Sequence, residues 1–152
     1  MPEITIPTHL PDWTKEHATR YIESEGKDGH MWDSSFAGGP GPIPTLLLAT
    51  TGRRSGESRT TPLIYTKTDG AYVVIASRGG SPQHPDWYFN LDADPNVTIR
   101  VATDVYDAKA RTAGPDERDA LWRQMAEVYP PYNDYQARAD RQIPVVVLEV
   151  AS

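Results

Sequence analysis

The stretch Thr45–Ser81, TLLLATTGRRSGESRTTPLIYTKTDGAYVVIASRGGS, decides how the rest of the chain is read. Its apolar runs and turn residues predict three β-strands, Thr45–Thr51, Arg59–Thr66 and Ala71–Ser77, the last two joined by Asp69-Gly70, the commonest short hairpin signal. The loop between the first two gathers Arg53, Arg54, Ser55 and Arg59 around Gly52 and Gly56. Five positive and two negative residues leave the stretch at +3 inside a chain of formal charge −6, so positive charge is concentrated where the strands turn.

Such a loop is suited to an anionic group. Two glycines allow backbone N–H groups to converge on one concavity, while guanidinium forks and a serine hydroxyl supply donors for phosphate or carboxylate oxygens. It is not a nucleotide P-loop, which needs Gly-Lys-Ser/Thr leading into a helix; here Gly56 leads into an alternating strand. On residue types alone a second reading stands beside the anion site: a hairpin turn whose arginines are solvated.

The chain of 152 residues is long enough for one domain with a single core. It contains no cysteine, which excludes disulfides, thiolate nucleophiles and Cys-ligated metals and fits a reducing, cytoplasmic compartment. Any redox chemistry must then use a borrowed cofactor. MPEITIPTHLPDW lacks the basic flank and apolar centre of a secretion signal, and no window approaches a membrane span. The acidic balance argues against nucleic acid as a partner.

Outward from the central stretch, residues 1–11 read as extended, and Asp12 is placed to cap a helix from Trp13 to about Glu25, stopped by Gly26. Lys27–Pro44, rich in glycine and proline, reads as an irregular loop carrying Met31, Trp32 and Phe36. On the other side, a short helix near Pro85 turns Trp87, Tyr88 and Leu91 inward, and alternation through Val97–Val101 and Tyr106–Ala110 predicts a half-exposed antiparallel pair. A helix opens at Pro115 and must end at Pro130, a further turn begins at Pro131, and the β-branched run Ile143–Val150 reads as a central strand. About six strands with helices at their ends predict an α+β, mainly β fold whose sheet curls into a small barrel.

Tyr129, Tyr132 and Tyr135 are spaced by three, which suits either a contact with the core or the wall of a pocket for a flat, reducible ring. His9, His17, His30 and His84 show no metal-ligand spacing and no nucleophile arrangement, and no metal site or catalytic role is assigned to them.

Three blocks in register, TLLLATTGRRSGESRTTPLIY, VVIASRGGSPQHPDWYFNLDADPNVTI and VYPPYNDYQARADRQIPVVVLE, resemble the deazaflavin-dependent nitroreductase and quinone reductase family, whose members use coenzyme F420. The resemblance covers about Thr45 to Glu149. It implies a single split β-barrel domain over 1–152, close to that of FMN-binding oxidases, with 1–44 as N-terminal helix and loop and 45–152 as barrel core. The implied reaction is hydride transfer from reduced F420 to a hydrophobic acceptor, a quinone, nitroaromatic or activated enone.

By position, Arg53, Arg54, Ser55 and Arg59 would take the phosphate and glutamate tail of F420, and Pro62 and Leu63 would flank its ring. Ala76, Ser77, Arg78 and Gly79 would offer donors to the deazaflavin head, Trp87 and Asn90 would close the groove, and Tyr129, Tyr132 and Tyr135 match the substrate-side tyrosines. Ser77 and the three tyrosines are the candidate proton donors. Arg78 stands where the family usually has lysine, and Lys27–Pro44 is longer than in many members. Some relatives attach to membranes through an amphipathic N-terminus; Glu16, Glu23 and Glu25 give less reason to expect that here, and peripheral contact stays open. Two alternatives remain: the same barrel holding FMN, which would co-purify yellow, and a non-catalytic carrier of F420 or an aromatic ligand.

Overall fold

In the computed structural model, which describes residues 2–8 and 10–151, eight strands and four α-helices follow one another. They are α1 (Asp12–Glu23), β1 (Met31–Asp33), β2 (Pro42–Thr51), β3 (Ser58–Ile64), β4 (Thr66–Thr68), β5 (Ala71–Ile75), α2 (Asp86–Ala93), β6 (Asn96–Val101), β7 (Asp104–Thr112), α3 (Pro115–Val128), α4 (Pro131–Arg138) and β8 (Val145–Val150). Met1, His9 and Ser152 lie outside the described residues, and with them parts of the extended N-terminus expected from sequence.

All the strand pairs are antiparallel, running β2–β6–β7–β8–β5–β4, with β1 and β3 both on β2. The strand expected over Arg59–Thr66 is broken at Tyr65. Its first part pairs with β2, Leu47 opposite Pro62, and its continuation pairs with β5, Thr66 opposite Val73. One bent segment therefore joins the two ends of the sheet and closes it into a split β-barrel.

Side-chain alternation explains which runs look continuously apolar. Tyr72, Val74, Val146 and Leu148 point into the barrel with Leu46, Leu48 and Ile99. Val73, Ile75, Val145 and Val147 point the other way, onto Leu121 and Met125 of α3. Strands β5 and β8 are thus buried on both faces, as an unalternating β-branched run requires. Leu47, outward on β2, is covered by Ala18 and Tyr21 of α1. The pair read as half-exposed is so only at β7, because β6 is buried between β7 and β2.

The segment expected to be an irregular loop, Lys27–Pro44, contains β1 and a 3-10 turn over Ser35–Ala37. Met31 pairs with Pro44 and Asp33 with Pro42, so β2 begins three residues earlier than expected. Glycine and proline weaken the local signal, but a partner strand supplies the hydrogen bonds that fix the extended form. Asp12 is the first helical residue of α1 rather than its cap, since Pro11 takes that place and its carbonyl accepts from the Lys15 N–H at 2.9 Å.

Helix α1 is fastened to the barrel by one phenol. The Tyr21 hydroxyl donates to the Thr45 carbonyl at 2.8 Å and accepts from the Ala102 N–H at 2.8 Å. Burial pushes its acidity up to about 12, so it remains protonated and able to do both. Gly26 ends the helix region at φ +85°, its N–H on the Tyr21 carbonyl at 2.9 Å, in a place where a Cβ would lie 1.7 Å from the Ala102 oxygen. Tyr21→Phe should lower stability by about 1–3 kcal/mol, read from the urea midpoint, because a buried carbonyl and N–H lose their partner together. An unchanged midpoint would show that packing alone holds α1.

Candidate active site

The arginine loop is the β2–β3 hairpin. It is closed by the Gly52 N–H on the Glu57 carbonyl at 2.7 Å and the Gly56 N–H on the Gly52 carbonyl at 2.8 Å. Its arginines are used differently. Arg53 folds back on α2: its guanidinium donates to Asn90 Oδ1 at 2.9 Å, its backbone N–H reaches the same oxygen at 3.2 Å, and Asp86 lies 3.5 Å away. Arg53 also stacks over the Phe89 ring at 5.2 Å. Asn90 is buried and donates in turn to Thr50 Oγ1 at 3.2 Å, so α2 fixes one arginine against the barrel.

Arg59 pairs with Glu57 at 3.7 Å, while Arg54 is exposed and has no ion-pair partner among the described residues. These three guanidiniums, Ser55 and Arg78 line one cavity of about 580 Å³, with Trp87 and Asn90 on its other side. Asp86 supplies its one carboxylate. Arg53 and Arg59 have carboxylate partners, while Arg54 and Arg78 have none among the described residues, so the cavity keeps an excess of positive charge that suits an anion.

A second cavity of about 220 Å³ shares Arg78, Pro85 and Trp87 with the first, so the two form one groove. Its walls are apolar: Pro62, Leu63 and Ile64 from β3, Ile75 from β5, and Trp13 and Trp32. The two indoles stack at 5.9 Å across the link between α1 and β1. Four hydroxyls interrupt this lining: Thr14, Thr45, which donates to the Gly29 carbonyl at 3.0 Å, and the pair Ser77 and Tyr132. Neither of that pair donates to a partner among the described residues, and neither is sealed in the protein, Thr98 Oγ1 being the buried side-chain atom left unpaired. Both hydroxyls are therefore available to a molecule in the cavity.

The three tyrosines divide into one that faces the cavity and two that stand behind it. Tyr129 donates to the Ala37 carbonyl at 3.3 Å, which leaves Tyr135 to donate to Tyr129 across 2.9 Å. Tyr132 packs edge-on against both, at ring separations of 4.9 and 6.0 Å. Burial, with the neighbouring phenols adding to it, holds the Tyr132 hydroxyl far above the ordinary tyrosine range; Tyr129 is raised as well. Tyr132 is consequently a neutral donor rather than a phenolate.

Of the other residues expected in the site, Gly79 lines the apolar cavity, and Arg78 and Trp87 line both. Ala76 is wholly buried, lines neither, and turns its carbonyl to Arg141. Sequence reading missed Trp13, Thr14, Thr45 and His17. His17 donates from Nε2 to the Gly29 carbonyl at 2.7 Å and is buried, which lowers its basicity and keeps it neutral. The spacing of Trp13 and His17 on one face of α1 was the available signal. Nothing in it says that this face would end over β3.

Comparison with known proteins places the chain in a family. A sequence model of the family described as F420H(2)-dependent quinone reductase matches residues 13–150. An F420H(2)-dependent quinone reductase of Mycobacterium tuberculosis is 39% identical over 135 residues, which cover 87% of this chain and 86% of that protein. Among solved structures, one described as an F420-H2 dependent reductase is 43% identical with a TM-score of 0.66, covering 70% of this chain and 94% of the other. A second, described as a domain-swapped dimer, is 39% identical with a TM-score of 0.68 over 91% of this chain and 98% of its own. The chain belongs to the F420H(2)-dependent quinone reductase family and is an oxidoreductase with coenzyme F420 as its cofactor.

Proposed function

We propose that this chain, acting as one split-barrel domain, reduces a quinone with reduced F420, and that nitroaromatics or activated enones can take the quinone's place. The carrying observation is the pair of adjoining cavities: a cationic one lined by Arg54 shares Arg78, Pro85 and Trp87 with an apolar one presenting the Ser77 and Tyr132 hydroxyls. The residues present fit the cofactor. Arg54 and Ser55, with Arg53, Arg59 and Arg78 around them, suit a polyanionic tail, and Pro62, Leu63 and Trp87 suit a flat ring. When bound, reduced F420 supplies the hydride.

The protein's part is to orient and to donate. Tyr132, fixed by Tyr129 and Tyr135, holds a proton toward the cavity and hydrogen-bonds an acceptor oxygen as negative charge grows there. Ser77 can make the same contact from the barrel side. Trp13, Trp32 and Leu63 exclude water and admit an acceptor whose remaining surface is apolar. The cysteine-free composition supports a cytoplasmic setting, and among the described residues no helix is long and apolar enough to cross a membrane.

Titration with oxidised F420, followed by fluorescence, and turnover of menadione and a nitroaromatic by the reduced form test this reading; binding without turnover would make the protein a carrier. Arg54→Ala should weaken F420 binding by about 1.5–3 kcal/mol, the cost of a charge-assisted contact, and an unchanged affinity would remove the tail from this loop. Tyr132→Phe should lower kcat toward menadione by about 100-fold while F420 affinity holds, as loss of a donor aimed at developing charge does. If Ser77→Ala produces that loss and Tyr132→Phe does not, the donor is Ser77.

A further inference from the structure

One guanidinium outside the groove is spent almost wholly on backbone. Arg141, in the link between α4 and β8, donates from Nε to the Ser81 carbonyl at 3.0 Å, from Nη1 to the Ala76 carbonyl at 3.3 Å and from Nη2 to the Ser77 carbonyl at 2.8 Å. Nη1 also meets His84 Nδ1 at 2.8 Å. No ion pair among the described residues includes it; its partners are neutral. The segment it grips, Ala76–His84, passes through the positive-φ residues Arg78 at +46°, Gly79 at +63° and Gly80 at +84°. Such a conformation is costly for a non-glycine residue and has to be held from outside.

A trans peptide is planar, so its C=O and N–H point in opposite directions. With the Ala76 and Ser77 carbonyls drawn to Arg141, the N–H groups of Ser77 and Arg78 must face away from it. Neither N–H finds a partner among the loop and turn bonds of the described residues, and Ser77 and Arg78 both line the groove. We propose that Arg141 is the positioning residue of the cofactor segment, turning three carbonyls to one side so that two successive backbone donors and the Ser77 hydroxyl face the carbonyl-bearing ring of the deazaflavin. This inference rests on the F420 reading above.

His84 gives the clamp a signature. Arginine only donates, so His84 Nδ1 must accept, and the ring is neutral with its proton on Nε2. Burial first, and then the Arg141 charge, lower the basicity of His84 below the ordinary 6.5. Its surroundings are Arg141, the rings of Tyr88 at 4.9 Å and Phe89 at 5.6 Å, and Arg78 bonded to Gln83; the nearby Asp86 turns to Arg53. Among the described residues no carboxylate forms an ion pair with Arg141 or His84. Acid would protonate Nδ1, replace an acceptor by a donor facing a guanidinium, and loosen the segment.

The test compares the full-length protein with Arg141→Lys and His84→Gln, by fluorescence titration of F420 between about pH 5 and 8 and by hydrogen exchange over residues 76–84 in the free proteins. Arg141→Lys, which keeps the charge and loses the fork, should bind F420 about 10- to 100-fold more weakly at neutral pH and exchange faster over this segment. The parent should lose affinity in acid, and His84→Gln, whose amide oxygen accepts at every pH, should lose less. Arg141→Lys that binds as tightly and exchanges as slowly as the parent would overturn the proposal. So would an acid loss of equal size in His84→Gln, which also decides the matter if the Arg141 variant melts early. F420 that fails to bind the parent would sink the functional reading, while the exchange rates would still judge the clamp.

Discussion

The structure depends on how residues 58–68 share their hydrogen bonds between two strands that are not neighbours. Ser58–Ile64 pairs with β2, and Thr66–Thr68 pairs with β5. Between them Tyr65 leaves the ladder, its N–H reaching the Pro44 carbonyl at 3.4 Å and its hydroxyl meeting His30 Nε2 at 2.8 Å. This switch closes the barrel and also parts it. On the side of β3 away from β2 no ladder forms among the described strands, and there Pro62, Leu63 and Ile64 face Ile75 across open space instead of across a hydrogen-bonded pair. Pro62, which has no N–H to give, stands opposite Leu47 in a strand with one paired edge, where proline is tolerated. The pairing therefore opens the groove, and the segment from Ser77 to Pro85 and the β2–β3 loop complete its walls.

Much of this was legible in the sequence because burial on two faces leaves an unmistakable trace. The apolar runs Tyr72–Ala76 and Ile143–Val150 announced central strands, and the structure has β5 over Ala71–Ile75 and β8 over Val145–Val150. The break at Tyr65 was not legible, since Leu-Ile-Tyr-Thr contains no turn residue to mark the point where its partner changes. Strand β1 was hidden for the opposite reason: Met-Trp-Asp is too short to carry a pattern, and its extended form is imposed by β2.

The site shows the same division between what is local and what the fold supplies. A cluster of arginines in one loop is visible as composition, but the availability of each is not. Arg53 is taken by Asn90 and Asp86 from a helix more than thirty residues away, Arg59 by Glu57, and Arg54 by nothing among the described residues. The tyrosine spacing put three phenols together, and the structure then ranks them by hydrogen bonding, since two satisfy each other and the third is left to the cavity. His17 carried no sequence signal beyond its helix face.

The two ends of the groove ask for different physical chemistry, and their separation is what makes them compatible. Guanidiniums bind an anion well because they are charged, whereas a flat apolar group is favoured by walls that carry few charges. The three guanidiniums of the β2–β3 turn line only the larger cavity, the Ser77 and Tyr132 hydroxyls line only the smaller one, and Arg78 is the cation common to both. The raised acidity constant of Tyr132 belongs to the same arrangement: the burial that excludes water also keeps its proton in place. A phenol so held stabilises an acceptor oxygen by donating a hydrogen bond, and full proton transfer becomes favourable only once that oxygen has become the more basic of the two.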